Sequence, residues 1–376
     1  MTLMSNKPNI VFVFTDQQRY SALGCNGNPI VKTPNIDRLA QQGMVLDSAF
    51  SSCPICAPYR AQILSGLYSH QNGVVDNEYK MRTDITTLPL ELKKAGYRSA
   101  YIGKWHLGYG PYTEDKRYGF DYMAANNCNH DYYNCQYYLN EEGPVIKEGW
   151  EGTETTNYAI DFIRSHCKAY PDKPFMMMMS WTPPHWPYNR YPREFDTYLP
   201  EEVDLSPNVP EQMAAFARKE IAQYYGCCTA LDAEFGRLTD VLEELEIDDN
   251  TIVCFTSDHG DHLSSHGYGK PYDKWMHHTM RGSKATPYEE AIHIPFIIKW
   301  PGRIKPGQRN NVFFSSVDVM PTLLGLCGLT VPGGIYGHDL SKAALGEKCN
   351  APDSVYLQIL GPGWPHRGKW LGFWRG

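Results

Sequence analysis

The sequence predicts an α/β protein built on a mostly parallel central sheet sandwiched by helices. Short, continuously apolar runs alternate with longer segments of helical periodicity, the pattern of strand–helix–strand units. The strand runs lack a polar face, which suits strands covered on both sides. Two of them, NIVFVF at Asn9 to Phe14 and TIVCFT at Thr251 to Thr256, are followed by acids in Thr15-Asp16-Gln17 and Ser257-Asp258-His259-Gly260. Ligands of open parallel sheets bind beyond the carboxyl ends of the strands, so Asp16 and Asp258 are expected to meet there.

The elements follow in order. After the first strand, Thr33 and Pro34 resemble an N-cap with proline in the first turn, and Gly43 marks a stop. Leu88 to Ala95 reads as a helix closed by Gly96, and Tyr97 to Ile102 as a strand. Tyr109 to Tyr138 is rich in Tyr, Asn, Gly and charge without clear periodicity, and is expected to be a long surface excursion. Thr153 to Tyr170 is helical and Phe175 to Trp181 a strand, its Met176 to Met179 run a buried stretch rather than a copper site. Val209 to Ile247 carries one or two long helices, and Ile292 to Lys299 a further strand.

Composition narrows the class. The 376 residues are 42% hydrophobic, 20% charged and 13% aromatic with a formal net charge of -7, which excludes disordered, collagenous and coiled-coil chains. An acidic balance argues against a nucleic-acid partner, and no apolar run approaches the roughly 18 residues of a membrane span. Met1 to Pro8 is short and polar and lacks the features of a secretory signal, so a cytoplasmic location is expected. Eleven scattered cysteines, an odd number, do not form a disulfide framework and suit free thiols in a reducing compartment.

Chemistry concentrates at a few segments. Carboxylates at Asp16 and Asp258 suit a hard divalent cation, with His259 adding a nitrogen donor; a capped loop is the plainer reading. His259, His262 and His266 offer a competing zinc set if helical, but Gly260, Ser264, Ser265 and Gly267 oppose a helix there. His277-His278 reads as a solvated loop pair with a possible reach to substrate. Cys53-Pro54-Ile55-Cys56 could be a redox pair or half a zinc site, though no second pair stands at zinc spacing.

Read from Cys56, however, the segment Cys56-Ala57-Pro58-Tyr59-Arg60, running on to Gly66, resembles the signature of type I sulfatases of the alkaline-phosphatase-like superfamily. In that family the cysteine is oxidised to formylglycine. Asn9 to Gln17, Gly103-Lys104-Trp105-His106-Leu107-Gly108, Pro183-Pro184-His185-Trp186-Pro187, Ser257 to Asp261 and Lys284 resemble further blocks of the family, in its order. The resemblance implies a sulfuric ester hydrolase whose large domain covers 1–338, with a partial antiparallel subdomain over 339–376. It implies an aldehyde hydrate at position 56, one hydroxyl attacking sulfur and the other expelling sulfate afterwards.

The implied cation is Ca2+, with Mg2+ or Mn2+ as alternatives because Gln17 stands where many relatives carry a second Asp. Its ligands are Asp16, Gln17, residue 56, Asp258 and His259. Arg60 would direct its fork at the aldehyde oxygens, and Lys104 and Lys284 would neutralise the sulfate. His106 would take the proton that releases sulfate, and His185 would serve the leaving group, both titrating near neutrality. Partners implied are a sulfated small molecule or glycan, and a formylglycine-generating or anaerobic sulfatase-maturing enzyme. The Tyr- and Asn-rich excursion favours a carbohydrate, with His130 as a substrate contact. Rival readings are a phosphonate monoester or phosphodiester hydrolase of the same superfamily, and a catalytically silent binding homologue.

Overall fold

In the computed structural model, which describes residues 7–267, 283–359 and 370–374, the chain opens with β1 (Asn9–Asp16), α1 (Pro34–Gln42), β2 (Met44–Phe50) and α2 (Cys56–Ser65). Then come α3 (Ser69–Asn72), α4 (Leu88–Lys94), β3 (Arg98–Lys104), β4 (Tyr122–Asn126), β5 (Cys135–Leu139) and β6 (Glu142–Lys147). The centre is completed by α5 (Glu151–Ala169), β7 (Phe175–Pro184), α6 (Ala214–Glu244) and β8 (Thr251–Ser257). The remaining elements are α7 (Glu289–Ile292), β9 (Phe296–Lys299), β10 (Gln308–Ser315), α8 (Val319–Leu326), α9 (Ser341–Ala344), β11 (Val355–Ile359) and β12 (Trp370–Trp374).

Ten strands form one sheet in the order β10-β2-β9-β8-β1-β7-β3-β4-β5-β6. Its middle, β8-β1-β7-β3-β4, is parallel throughout. Antiparallel pairing enters only through β9, lying between β8 and β2, and through β5 and β6 at the far edge. Side chains alternate between the faces of a strand, and both faces here are covered. Ile10, Phe12 and Phe14 of β1 pack with Met176 and Met178 toward α2, α4 and α8. Val11 and Val13 pack with Met177 and Met179 toward α1, α5 and α6. The four-methionine run is therefore a strand buried on both sides.

Two expectations are corrected. The segment Tyr109 to Tyr138 is not a surface excursion. It contributes β4 and β5 to the sheet, and Tyr112, Tyr132 and Tyr137 are fully buried. Tyr132 and Tyr137 bury their rings and pair their hydroxyls, with the His185 carbonyl and with Thr155 Oγ1 (2.8 Å), and both strands are only five residues long, so the strand pattern is masked. The strand expected over Ile292 to Lys299 begins only at Phe296, because Ile292 closes α7 and Pro295, with no N–H to donate, precedes the pairing. Val209 to Ile247 resolves into a single 31-residue helix, α6.

Strands β11 and β12 pair antiparallel and pack against the sheet's end. Val355 and Leu357 lie against Phe50 and Ile292, and Gln358 N donates to Ser52 O at 2.9 Å. Among the described residues no helix is long and apolar enough to cross a membrane.

Candidate active site

Because β8, β1, β7 and β3 are parallel neighbours, their carboxyl ends open on one edge of the sheet. Asp16 ends β1, Asp258 follows β8, His185 follows β7 and Lys104 ends β3. Gly103 makes the last exit feasible. Its φ is +92°, and a Cβ there would lie 2.0 Å from the Ser180 carbonyl oxygen, so any side chain would push β3 off β7. Helix α2 is brought to the same edge with Cys56 as its first residue, where the partial positive charge of a helix start favours an anion. Asn77 Oδ1 accepts the Ala57 N–H at 3.1 Å and fixes that helix end.

The donor atoms of Asp16, Cys56, Asp258 and His259 all lie within 4.8 Å of one another, and all four residues are buried. Cys56 Sγ is 3.4 Å from His259 Nε2 and 3.6 Å from Asp16 Oδ1. His259 Nδ1 donates to the Gly260 carbonyl (3.0 Å), which leaves Nε2 as the ring atom turned into the cluster. Gln17, at φ +70°, donates its backbone N–H to Asp258 Oδ1 (3.0 Å). Its amide Nε2 donates to Asp261 Oδ2 (2.8 Å), which also accepts from the Tyr188 hydroxyl (2.6 Å). That leaves Gln17 Oε1 facing the centre, where Lys284 Nζ reaches it at 2.9 Å.

Positive groups ring these acids. Lys104 Nζ donates to Asp16 Oδ2 at 2.6 Å, with both side chains fully buried. Lys284 Nζ also donates to Cys56 Sγ (3.3 Å) and to His185 Nε2 (2.7 Å), while His185 Nδ1 donates to the Trp186 carbonyl (2.8 Å). Arg60 departs from expectation. Its Nη2 bonds Asp16 Oδ2 and Asp258 Oδ2, both at 3.2 Å. Its Nη1 bonds Tyr101 OH, the Lys104 carbonyl and Ser180 Oγ at 2.9, 2.6 and 2.7 Å. The fork thus clamps the two carboxylates from below instead of pointing at residue 56, since paired carboxylates are the stronger acceptors within its reach.

The charges divide the titrations. Burial raises the Asp16 pKa, but Lys104, His185, Lys284 and His259 outweigh it and hold the carboxyl well below its usual range. Burial and the neighbouring Asp16 push Asp258 up to about 7. Burial and Asp16 raise the Cys56 thiol, yet Lys104, Lys284 and His259 pull harder and bring it down to about 6. For His259, burial lowers the pKa and Asp258 raises it, and the rise prevails. His106 and His185 do not titrate near neutrality as expected. Burial, reinforced by Lys104 and Arg60 for the first and by Lys284 for the second, drives both well below the usual imidazole value.

Every site residue read from the sequence thus converges on one edge of the sheet. His130 is near it, its ring stacked on His185 with centroids 4.6 Å apart. The zinc reading fails geometrically, because Leu263, Ser264 and His266 have positive φ and His262 Nε2 turns away to Thr286 Oγ1 (2.8 Å). Cys53 is likewise not bridged to Cys56; it is buried in an apolar cluster with Ile55, Ala285 and Ile359. His277-His278 lies outside the described residues. Tyr101, Ser180, Asp261 and Asn77 were missed. Asp261 had a signal in Asp258-His259-Gly260-Asp261, whereas Tyr101 and Ser180 have none in sequence.

Comparison with known proteins places this fold in a family. The Sulfatase family model matches residues 8–329, and the chain belongs to that family. It is 36% identical over 346 residues to an ulvan-active sulfatase of Formosa agariphila, covering 89% of this chain and 65% of that protein. It is 30% identical to an endo-4-O-sulfatase of Bacteroides thetaiotaomicron, covering 94% and 77% of the two chains. A solved structure in complex with its substrate, D-glucosamine-2-N,6-O-disulfate, superimposes with a TM-score of 0.82 at 26% identity, over 98% of this chain and 87% of the other.

Proposed function

We propose that the protein hydrolyses a sulfate monoester on a carbohydrate, with oxidised Cys56 as nucleophile and a divalent cation beside it. The observation that carries this is the position of the residue 56 side chain between a buried acid–imidazole cluster and the Lys284 ammonium. The carbohydrate part is supported by what the relatives are named for, an ulvan-active sulfatase and a glucosamine disulfate complex.

The donor set suits a hard cation. Two buried carboxylates, the Gln17 amide oxygen and His259 Nε2 supply mostly oxygen, which fits Ca2+, with Mg2+ or Mn2+ as alternatives. When bound, such an ion supplies charge neutralisation and a lowered pKa for a hydroxyl at residue 56. Formylglycine at that position supplies two hydroxyls on one carbon once hydrated, one to attack sulfur and one to release sulfate.

The chain's own residues do the rest. Arg60 and Lys104 keep Asp16 ionised and fix both carboxylates in place. Lys104 and Lys284 oppose negative charge on the sulfate oxygens, where one preorganised donor is worth roughly 3 kcal/mol. Neutral His106 is a proton acceptor for the release step. His185 Nε2, bonded to the Lys284 ammonium, forms a pair able to pass a proton to the departing sugar oxygen.

Co-expression with a formylglycine-generating or anaerobic sulfatase-maturing enzyme, followed by side-by-side turnover of p-nitrophenyl sulfate and an aryl phosphonate ester, tests the reading. Preference for the sulfate is expected. Preference for the phosphonate would replace the reaction, and turnover of neither would favour a silent homologue.

A further inference from the structure

Two cavities adjoin the reaction centre, one of them reaching it at His106. One, of about 310 Å3, is lined by Asn77, Tyr79, His106, Tyr109, Tyr118 and Asn127. It touches both His106 and the Asn77 amide that holds the start of α2. The other, of about 350 Å3, is lined by Tyr109, Asn126, Asn127, Cys128, Gln136 and Tyr138. Each volume suits one small ligand. Tyr109 and Asn127 belong to both, so a single wall divides them. That wall is tied to the site, because Asn126 and Asn127 accept the backbone N–H groups of Trp105 and His106 at 2.7 and 3.1 Å.

The second cavity has a feature packing does not explain. Asn126 is only 3% exposed, and neither its amide nitrogen nor its amide oxygen has a partner among the described residues. The Asn127 amide oxygen and His106 Nδ1 are unpartnered as well. Buried polar groups are normally paired, and a sugar hydroxyl both donates and accepts, so it satisfies either end of an amide. Tyr109 is 71% exposed on the dividing wall, and Tyr138 offers a second ring to the same cavity. Such rings present an apolar face at low entropic cost to a pyranose.

We propose that these cavities are adjoining sugar subsites, so that the sulfated residue is recognised within an oligosaccharide. This rests on the sulfatase reading above and extends it. The ring whose ester faces His185 lies at the reaction centre, and the cavities beside His106 and over Asn126 take further rings of the same chain, with Tyr109 between them.

Isothermal titration of the whole protein with chondroitin sulfate and ulvan fragments, from mono- to hexasaccharide, tests this independently of turnover. Binding is expected to tighten about tenfold from mono- to disaccharide or longer for at least one of the two glycans, in line with one stacked ring and one satisfied amide. Tyr109→Ala, at an exposed position, is expected to fold with an unchanged Tm and to lose that gain, whereas Tyr336→Ala on another face keeps it. Equal affinity for mono- and oligosaccharides, no binding of any fragment, or an unaltered gain in Tyr109→Ala would overturn the subsites. Length-dependent binding without hydrolysis of p-nitrophenyl sulfate by the matured protein would support the subsites while overturning the reaction.

Discussion

Replacing Arg60 by lysine tests the reading that this side chain holds the two acids of the cluster. Arg60 is fully buried and serves five acceptors, two carboxylate oxygens through Nη2 and three oxygens through Nη1. A lysine keeps the charge but carries its three N–H groups on a single nitrogen, so it cannot bridge both carboxylates and also reach Ser180 Oγ, and at least one acceptor without another donor, Asp258 Oδ2 or Ser180 Oγ, loses its bond. Each buried acceptor left unmade costs about 1–3 kcal/mol, and broken buried pairs cost about 3–5 kcal/mol, which places Arg60→Lys near 3 kcal/mol. That is a large share of a typical stability of about 5–15 kcal/mol, and the variant still folds. Equilibrium urea denaturation followed by tryptophan fluorescence measures it, and calcium titration of the folded variant reports on the cluster. A loss below about 1 kcal/mol with unaltered cation affinity would show that the fork does not organise Asp16 and Asp258.

Lys104→Met removes one of the two buried cations paired with Asp16, the one at 2.6 Å, and leaves Arg60. Turnover of p-nitrophenyl sulfate is expected to fall about a hundredfold or more, matching one lost preorganised donor, and a fall under about tenfold would contradict the assignment. Prolonged dialysis of the matured protein against a chelator is expected to abolish turnover, restored by Ca2+, Mg2+ or Mn2+; unchanged activity would rule out a bound cation at Asp16, Gln17, Asp258 and His259. Away from the site, burial pushes Glu151 up to about 7 despite bonds from Thr182 and Thr155. Its folded pKa exceeds the unfolded value, so its effect lowers stability as pH rises from about 4.5 to about 7, by roughly 3 kcal/mol. Urea midpoints across that range should show this slope, and Glu151→Gln should flatten it; identical slopes would contradict the assignment.

Much of the site was legible because its chemistry sits at strand ends and in a specific motif. Asp16 and Asp258 follow runs that read as doubly buried strands, and parallel neighbours must open on the same edge. Cys56 and Arg60 lie one turn apart in a motif that the family model also covers. What the sequence hid was set by tertiary contact. The direction of the Arg60 fork depends on Tyr101 and Ser180 from two other strands, and neither residue type signals that role. The depressed basicity of His106 and His185 follows from burial among Lys104, Arg60 and Lys284, three cations scattered along the chain. Strands β4 and β5 escaped notice because each is only five residues long, burying Met123, Ala124 and Ala125 in one and Cys135 and Tyr137 in the other, within a segment dense with tyrosine and asparagine.

The account turns on residue 56. The most direct measurement is mass spectrometry of the peptide bearing Cys56 from matured protein, taken alongside its turnover of a sulfate ester and that of Cys56→Ala. The account predicts an aldehyde at position 56 in active protein and a folded but inert alanine variant. An unmodified thiol in fully active protein, or near-normal turnover by Cys56→Ala, would contradict it.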